Sequence, residues 1–521
     1  MALALTIFPV DFLWPANMPA LAPQGDAAQH AIAQRYFIQD AWHWPPLIAH
    51  NLLPPDGLNI AFADGIPLLA LLLKAVAAIL PAGFHGIGLW HALVFMAQPM
   101  AAIWCLKGAG EQRWLPSLAI GLMALSMPAF LNRYGHAALM GHFTLFLALG
   151  LYLRLVREQR LSLWGWAGSI LLATLLVHPY LAAMMLALLG AVPLTLLLRG
   201  DPAWRGALAG MALVLVALWS FMAALGYLGA QGDGGYGHFA LNLFSPIWPH
   251  LSALLPGLVT TEVDATGHGG WEGYNWLGAG LILALILAFA LGPRQGFSMI
   301  KRHAGFALAL GGLSLLALSF QIGAGDQIIL DLGDAPGFLQ QFRASGRFFW
   351  PVGVALMMGA SLLLVRLPQR RLGGALLGLL ALLQFLDAAP IRAAMAAWAA
   401  QRAEWRVDAP ALRPVLRGAS RLVLLPSWPC VPPGDPAREH ALQLEILSLA
   451  SETALPANTM YVARWRVRPG CNDASVLAAP PQPGEVRLAL PSTAAALRMA
   501  SLGQGLQCRE LGEILACQAP R

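Results

Sequence analysis

Two carboxylates and a pair of arginines stand out for what their types and spacing could do. Asp26, in GDAAQHAIAQRYF, opens a stretch with apolar residues at Ala28, Ile32, Tyr36 and Phe37, which is helical spacing. A carboxylate there suits a helix N-cap. It equally suits a general base that takes a proton from an acceptor hydroxyl. His30 follows four residues later and falls on the same helical face. Asp64, in IAFADGIPLL, carries the same two readings. Arg343 and Arg347 stand four residues apart in QFRASGRFFW. A guanidinium pair suits the clustered oxygens of a phosphate or pyrophosphate, and pairing with Asp326, Asp331 or Asp334 is the plainer use. Between these motifs lie Arg133, His136 and His142, then His178-Pro179-Tyr180, then HGGWEGYNW with His268, Glu272, Tyr274 and Asn275. Of these, His136, His178, Glu272, Tyr274 and Asn275 join His30 and the arginine pair as substrate-binding candidates. A metal site from Glu262, Asp264 or Glu272 is a weaker reading. No metal site is assigned and no cofactor is fixed, with a divalent ion left open.

The elements that must position these residues follow from composition. The chain has 521 residues, 58% hydrophobic and only 11% charged, with a mean hydropathy of +0.62. A soluble domain is nearer one-quarter charged. These values exclude a cytosolic enzyme and a disordered protein. The net charge of +6 does not indicate nucleic acid, because the bases are spread over loops between apolar runs. Ten runs approach the length of a membrane crossing: 87–106, 115–131, 138–153, 161–177, 180–198, 207–229, 276–292, 304–321, 348–365 and 372–389. The expected fold is therefore an all-α polytopic membrane protein with about 10–11 transmembrane helices and a small α/β domain after them.

Charge sets the expected orientation. Five short loops hold Lys107 and Arg113; Arg154, Arg157 and Arg160; Arg199 and Arg205; Arg294, Lys301 and Arg302; and Arg366, Arg370 and Arg371. Only Glu111, Glu158 and Asp201 oppose them there, whereas residues 230–275 contain no Lys or Arg. The positive-inside rule puts the basic loops in the cytoplasm and the loops 14–64, 132–137, 230–275 and 322–347 outside, with the C-terminal segment. Residues 65–80, interrupted by Lys74, would invert this pattern if they crossed. They read as a helix at the outer face, with a true span and a snorkelling Lys74 as the alternative. Trp42, His43 and Trp44 suggest an aromatic rim at the interface. Residues 1–13 are apolar but too short to span and lack the marks of a signal peptide. They read as the outer part of a first helix, stunted or begun upstream.

Residues 391–521 read as a second domain, outside the membrane, after a membrane domain at 1–390. Its alternating stretches 421–425, 460–467 and 485–490 suggest strands. It holds Cys430, Cys471, Cys508 and Cys517, an even number that argues for disulfides in an exported segment. Three pairings exist. Cys430 with Cys471 and Cys508 with Cys517, across a hairpin, is the favoured one. Zinc is the rival, weakened by the lack of a Cys-x-x-Cys and by a single nearby histidine, His440. Cys105, in a span, reads as a small apolar residue.

No basic loop exceeds about a dozen residues, and none carries a P-loop, a dinucleotide fingerprint or an Asp-x-Asp pair. Chemistry, if any, belongs to the outer face. There the pattern resembles bacterial membrane proteins of the GT-C glycosyltransferase superfamily, and within it a family catalogued only as a domain of unknown function. The residues that carry the likeness are GDAAQH (25–30), W-x-W-P-P-L (42–47), PDGLNIAFADGIPLLALLLK (55–74), RYGHAALMGHFTLFLALGLYLR (133–154), HPYL (178–181), WEGYNWLGAG (271–280), FRASGRFFWP (342–351) and LQFLDAAP (383–390). The resemblance covers nearly the whole chain and implies a sugar donor carried on a polyprenyl phosphate. It also implies a catalytic Asp in the first outer loop, which maps to Asp26, and a second acid, which maps to Asp64. Outer-loop bases that hold the lipid phosphate map to Arg343 and Arg347. By this resemblance the expected function is sugar transfer to a glycan or lipid acceptor at the periplasmic face of a bacterial inner membrane. A transporter or flippase of lipid-linked glycans, or a non-catalytic envelope assembly protein, is the alternative. A transporter predicts ionisable groups deep in the spans and an internal repeat, neither of which is evident.

Overall fold

The computed structural model describes residues 2–14, 25–256, 263–401, 404–462 and 464–519. Glu262 and parts of the loops 14–64 and 230–275 lie outside the described residues.

Each of the ten apolar runs contains a helix, but chain-breaking residues cut several short of a crossing. Five helices among the described residues are long and apolar enough: Ile87–Gly108, Ala137–Leu155, Pro179–Leu198, Trp204–Ala224 and Ser345–Val365. Two bent pairs raise the number to seven: Ala279–Leu291 with Pro293–Arg302, bent by 100°, and Arg370–Asp387 with Ala389–Ala400, bent by 46°. Trp114–Leu125, Leu161–Val177 and Ala304–Leu318 are apolar but shorter. Against the 10–11 crossings expected, five to seven helices among the described residues have the length and composition of one, and three more are apolar but shorter. The reason is local. Proline removes a backbone donor and clashes with the preceding turn, and Pro128, Pro179 and Pro293 each start a new helix just after a break. A helix of 12 residues such as Trp114–Leu125 rises about 18 Å, against a hydrocarbon core of about 30 Å. These apolar helices are those of a multi-pass membrane protein.

The run 65–80 forms only the nine-residue helix Pro67–Ala75 and a 3-10 turn, so it is not a crossing by length. Lys74 Nζ donates to Ala41 O at 2.9 Å and lies 4.0 Å over the Phe37 ring. The N-terminal residues form two short helices, Ala2–Ile7 and Val10–Leu13, packed against Ile87–Gly108 and Ala389–Ala400. Gly88 permits this approach, since a methyl group there would meet the Phe12 carbonyl oxygen at 1.8 Å.

The basic loops gather at one end of the helices. Arg113 donates to Arg370 O and Val365 O, Arg366 to Ala109 O, Arg157 to Gly108 O and Arg199 to Arg302 O. Ala137–Leu155, Pro179–Leu198 and Ser345–Val365 run from the candidate site at one end to these bases at the other. Nineteen to 21 residues of helix put the two ends about 30 Å apart.

The C-terminal part is a four-stranded sheet with helices. Arg421–Leu425 pairs in parallel with Glu485–Ala489, which pairs antiparallel with Ile514–Gln518, which pairs antiparallel with Gln507–Leu511. Its helices start where the sequence places caps: Asp408 accepts from Ala411 N and Asp435 from Arg438 N. The favoured disulfides are the ones present, Cys430–Cys471 and Cys508–Cys517, the latter joining directly opposed residues of a hairpin. Cys105 is a buried free thiol. One expectation is corrected. The described residues 460–462 and 464–467 form no strand; they are irregular apart from a single bridge between Trp465 and Gln231. They leave the sheet and lie against the other domain.

The helix Gly25–Gln39 sits in the seam between the two parts, and this explains its composition. Ala27 through Ile38 are all buried, including Gln29, His30, Gln34 and Arg35. Buried polar groups need partners, and most find them across the seam. Tyr36 Oη donates to Leu455 O at 2.7 Å, Gln39 Nε2 to Ser451 O at 2.9 Å, and Arg35 reaches both Gly83 O and Ser451 Oγ. The sequence shows only one apolar stripe because the second buried face is made by polar side chains.

Candidate functional site

A cavity of about 270 Å³ opens at the end of the bundle away from the basic loops. Asp26, Asp64, His136, His178, Glu272, Arg343 and Arg347 all line it, although they come from six separate segments of sequence. Helix starts position most of them. His136 precedes the turn that begins Ala137–Leu155. His178 ends Leu161–Val177 and caps Pro179–Leu198, its Nδ1 accepting from Tyr180 N at 3.1 Å. Arg347 lies in the first turn of Ser345–Val365.

Asp64 is the best-enclosed acid of the cavity wall. It follows the 3-10 turn Ile60–Ala63, which Asn59 caps, and takes a left-handed backbone with φ of 49°. A non-glycine residue in that region is strained, and such strain concentrates at functional positions. Gln34 Nε2 holds the turn through Gly65 O at 2.8 Å. The two Asp64 oxygens face different imidazoles: Oδ1 is 3.3 Å from His178 Nε2 and Oδ2 is 3.4 Å from His136 Nε2. Because His178 Nδ1 accepts a backbone N–H, its proton belongs on Nε2, aimed at Asp64. Burial would raise the Asp64 carboxyl, but His178 and His136 outweigh it and hold it well below the usual range. Burial pulls His178 down to about 4, with Asp64 opposing, so the imidazole is neutral at pH 7.

Glu272 organises the opposite wall. Arg133 Nη1 donates to its Oε2 at 2.6 Å and Arg347 Nε to the same oxygen at 2.9 Å. Burial would raise the Glu272 carboxyl, but Arg347 and Arg133 dominate and set it near 2. Two guanidiniums against one carboxylate leave this cluster with one net positive charge. The acids at 326, 331 and 334 play no part in it: Asp331 accepts from Gln321 and Gly333 instead. Arg343 is exposed, stacks 5.1 Å over Phe239, and makes no ion pair among the described residues. Tyr180 Oη accepts from Ala344 N at 2.9 Å and so ties the arginine segment to the helix that His178 caps.

The other candidates take different places. Asp26 lies in the first turn of Gly25–Gln39, where its charge suits the helix dipole, and faces the cavity beside Gln29. His30 lies behind the wall, fully buried, its ring 4.6 Å from that of His136. Tyr274 and Asn275 do not line the cavity. Asn275 is buried and donates to Gly273 O and Gly346 O, which fastens the Glu272 loop to the Arg347 segment. His268 stacks on His238, and Asp264 is spent on its own loop, accepting from Thr266, Gly267 and Gly269. Trp42 and Trp44 are exposed, as a rim requires.

Sequence reasoning missed one wall. Tyr461, Val462 and Arg464 of the C-terminal part line the cavity. Gln29 Nε2 donates to Tyr461 O at 3.0 Å, and Arg464 donates to Gln341 O at 3.1 Å. Trp428 stacks 4.5 Å from Tyr461 and 3.8 Å from His440. No local pattern marks these residues, because their alternation imitates a strand.

Residues 1–389 match the family model described as a domain of unknown function (DUF6311), and residues 411–519 match the DUF6311 C-terminal domain. The chain belongs to this family. None of the curated proteins matches it.

Proposed function

We propose that this protein is a GT-C-type glycosyltransferase of the bacterial inner membrane. It moves a sugar from a polyprenyl-phosphate donor to an envelope glycan or lipid acceptor at the periplasmic face. The observation that carries the reading is the convergence of Asp26, Asp64, Arg343, Arg464 and the net-positive Arg133–Glu272–Arg347 cluster on one cavity. The basic loops at the far end of the helices fit a cytoplasmic face, and the two disulfides fit an oxidising compartment.

The chemistry follows from the charges. Asp26 takes the proton of an acceptor hydroxyl, whose oxygen forms a bond to the anomeric carbon of the donor. The bond from that carbon to the phosphate oxygen breaks, and polyprenyl phosphate leaves with the electron pair. Arg343 and Arg464, with the surplus charge of the Glu272 cluster, stabilise the developing phosphate charge. Arg347 acts mainly as a buried support, since Glu272 already holds it. A single displacement inverts the sugar carbon.

The test is mass spectrometry of polyprenyl-linked sugars and envelope glycans from cells with wild type or Asp26→Asn, matched for protein in the membrane. Build-up of one polyprenyl-phosphate sugar with loss of one glycan decoration supports the reading and identifies donor and acceptor together. Profiles identical to wild type, where a deletion differs, overturn Asp26 as base and favour transport or assembly.

A further inference from the structure

Behind the cavity wall, His30, Asp64 and His136 each bring a ligand atom to within 4.8 Å of the other two. The three come from a helix, a 3-10 turn and a helix start, so the cluster is a product of the fold. His136 Nε2 and Asp64 Oδ2 are 3.4 Å apart. Two ligands of a tetrahedral ion with bonds of about 2.0–2.1 Å stand about 3.3 Å apart, so this edge already has the spacing such an ion needs.

His30 supplies the second, independent observation. It is 0% exposed, and neither ring nitrogen has a hydrogen-bond partner among the described residues. His136 Nδ1 is likewise without one. Burying a polar group without a partner is costly, and an imidazole so placed beside a carboxylate has a lone pair available for a ligand bond. The ring is 4.6 Å from that of His136, at 66°. We propose that His30, His136 and Asp64 bind one divalent transition-metal ion, zinc by ligand type, with its fourth position open to the cavity.

The surrounding groups suit that role. Two neutral imidazoles and one carboxylate leave a divalent ion with a net charge of about +1, fit for an anionic or hydroxyl oxygen from the cavity. Imidazole ligands select zinc and its neighbours, whereas magnesium and calcium take oxygen ligands. His178 is a positioning residue: its Nε2–H faces Asp64 Oδ1 and leaves Oδ2 to turn toward His136 and the ion. The proposal concerns what these side chains bind and holds whichever reaction the cavity performs.

Metal binding by the full chain, purified in detergent, tests it without any sugar present. After chelation, the protein is dialysed against buffered free Zn²⁺ and its metal is measured by elemental analysis. Co²⁺ serves as an optical probe of tetrahedral coordination. One zinc per chain is expected, not displaced by millimolar Mg²⁺. His30→Ala and Asp64→Asn should weaken binding at least 100-fold, and His178→Gln about 10- to 100-fold. His43→Ala and His50→Ala are the controls, since they disrupt the more exposed cluster of His43, His50 and Asp40. Each variant is compared with wild type by thermal unfolding in chelator, so that loss of fold is separated from loss of a ligand. Wild type that takes up no stoichiometric ion overturns the proposal. So does an ion that survives His30→Ala in a folded protein but is lost with His43→Ala.

Discussion

Arg347 Nη2 stands 2.8 Å from Glu272 Oε2, although 75 residues separate the two in sequence. Arg133 reaches the same oxygen, and all three side chains are nearly closed to solvent. This differs from the exposed Arg343 four residues upstream. The arginine pair that looks alike in sequence is divided by the fold into a buried support and an exposed cation.

That division predicts opposite phenotypes. Arg347→Ala leaves a buried carboxylate short of a partner and should cost about 3–5 kcal/mol of stability. Arg343→Ala should stay within about 0.5 kcal/mol of wild type yet weaken binding of a polyprenyl-phosphate donor. Thermal unfolding and donor titration of the two variants in detergent would separate the roles. Equal destabilisation by both would contradict the division.

The same cluster predicts an acid limb. The Glu272 carboxyl is near 2 in the folded chain against 4.5 as the ordinary value. Its contribution is therefore present above about pH 4.5 and is lost as pH falls toward 2, a span worth on the order of 3 kcal/mol. Glu272→Gln should be less stable than wild type at pH 7 and show a flatter decline between pH 4.5 and 2. Parallel stability curves for the two proteins would refute it.

Gly346 sets how closely the Arg347 segment approaches the Glu272 loop. A methyl group there would meet Gly273 Cα and the Phe239 carbonyl oxygen, each at 2.9 Å. Gly346→Ala should push the Arg347 segment from the Glu272 loop and lower activity more than tenfold. The same change at a remote position, Gly311→Ala, where a methyl group meets nothing within 4 Å, should not. Activity assays of both variants, normalised to folded protein, decide the point.

The disulfides should differ in weight. Cys430–Cys471 closes 41 residues, including Tyr461 and Arg464, whereas Cys508–Cys517 closes nine. Loop-closure entropy gives about 4 and about 2.6 kcal/mol respectively. Replacing the first pair by serine should lower the melting temperature more and also weaken ligand binding, because it frees one cavity wall. Replacing the second should affect stability alone.

Asp26 lies at the cavity wall rather than in the core of the seam. Asp26→Asn should therefore keep wild-type stability while slowing transfer by about 10²–10⁴-fold. A matched loss of stability would instead mark it as a helix-start residue.

Sequence alone determined what local physics can encode. Apolar runs bounded by arginines gave the helices and the segregation of the basic loops. The run at 65–80 was legible as no ordinary span through Lys74 and Pro81. The hairpin spacing of Cys508 and Cys517 made their pairing legible. Each of these rests on burial, charge or chain reach within a few dozen residues. Tertiary structure alone decided which side chains from six separate segments share one cavity. It also decided that Glu272, not a nearby aspartate, answers Arg347, and that Asn275 is a fastener. Only the fold turned Tyr461, Val462 and Arg464 from an apparent strand into a cavity wall. These outcomes depend on how helices slide and turn against one another. A pairing over 75 or more residues is set by that register, and no window of sequence contains it.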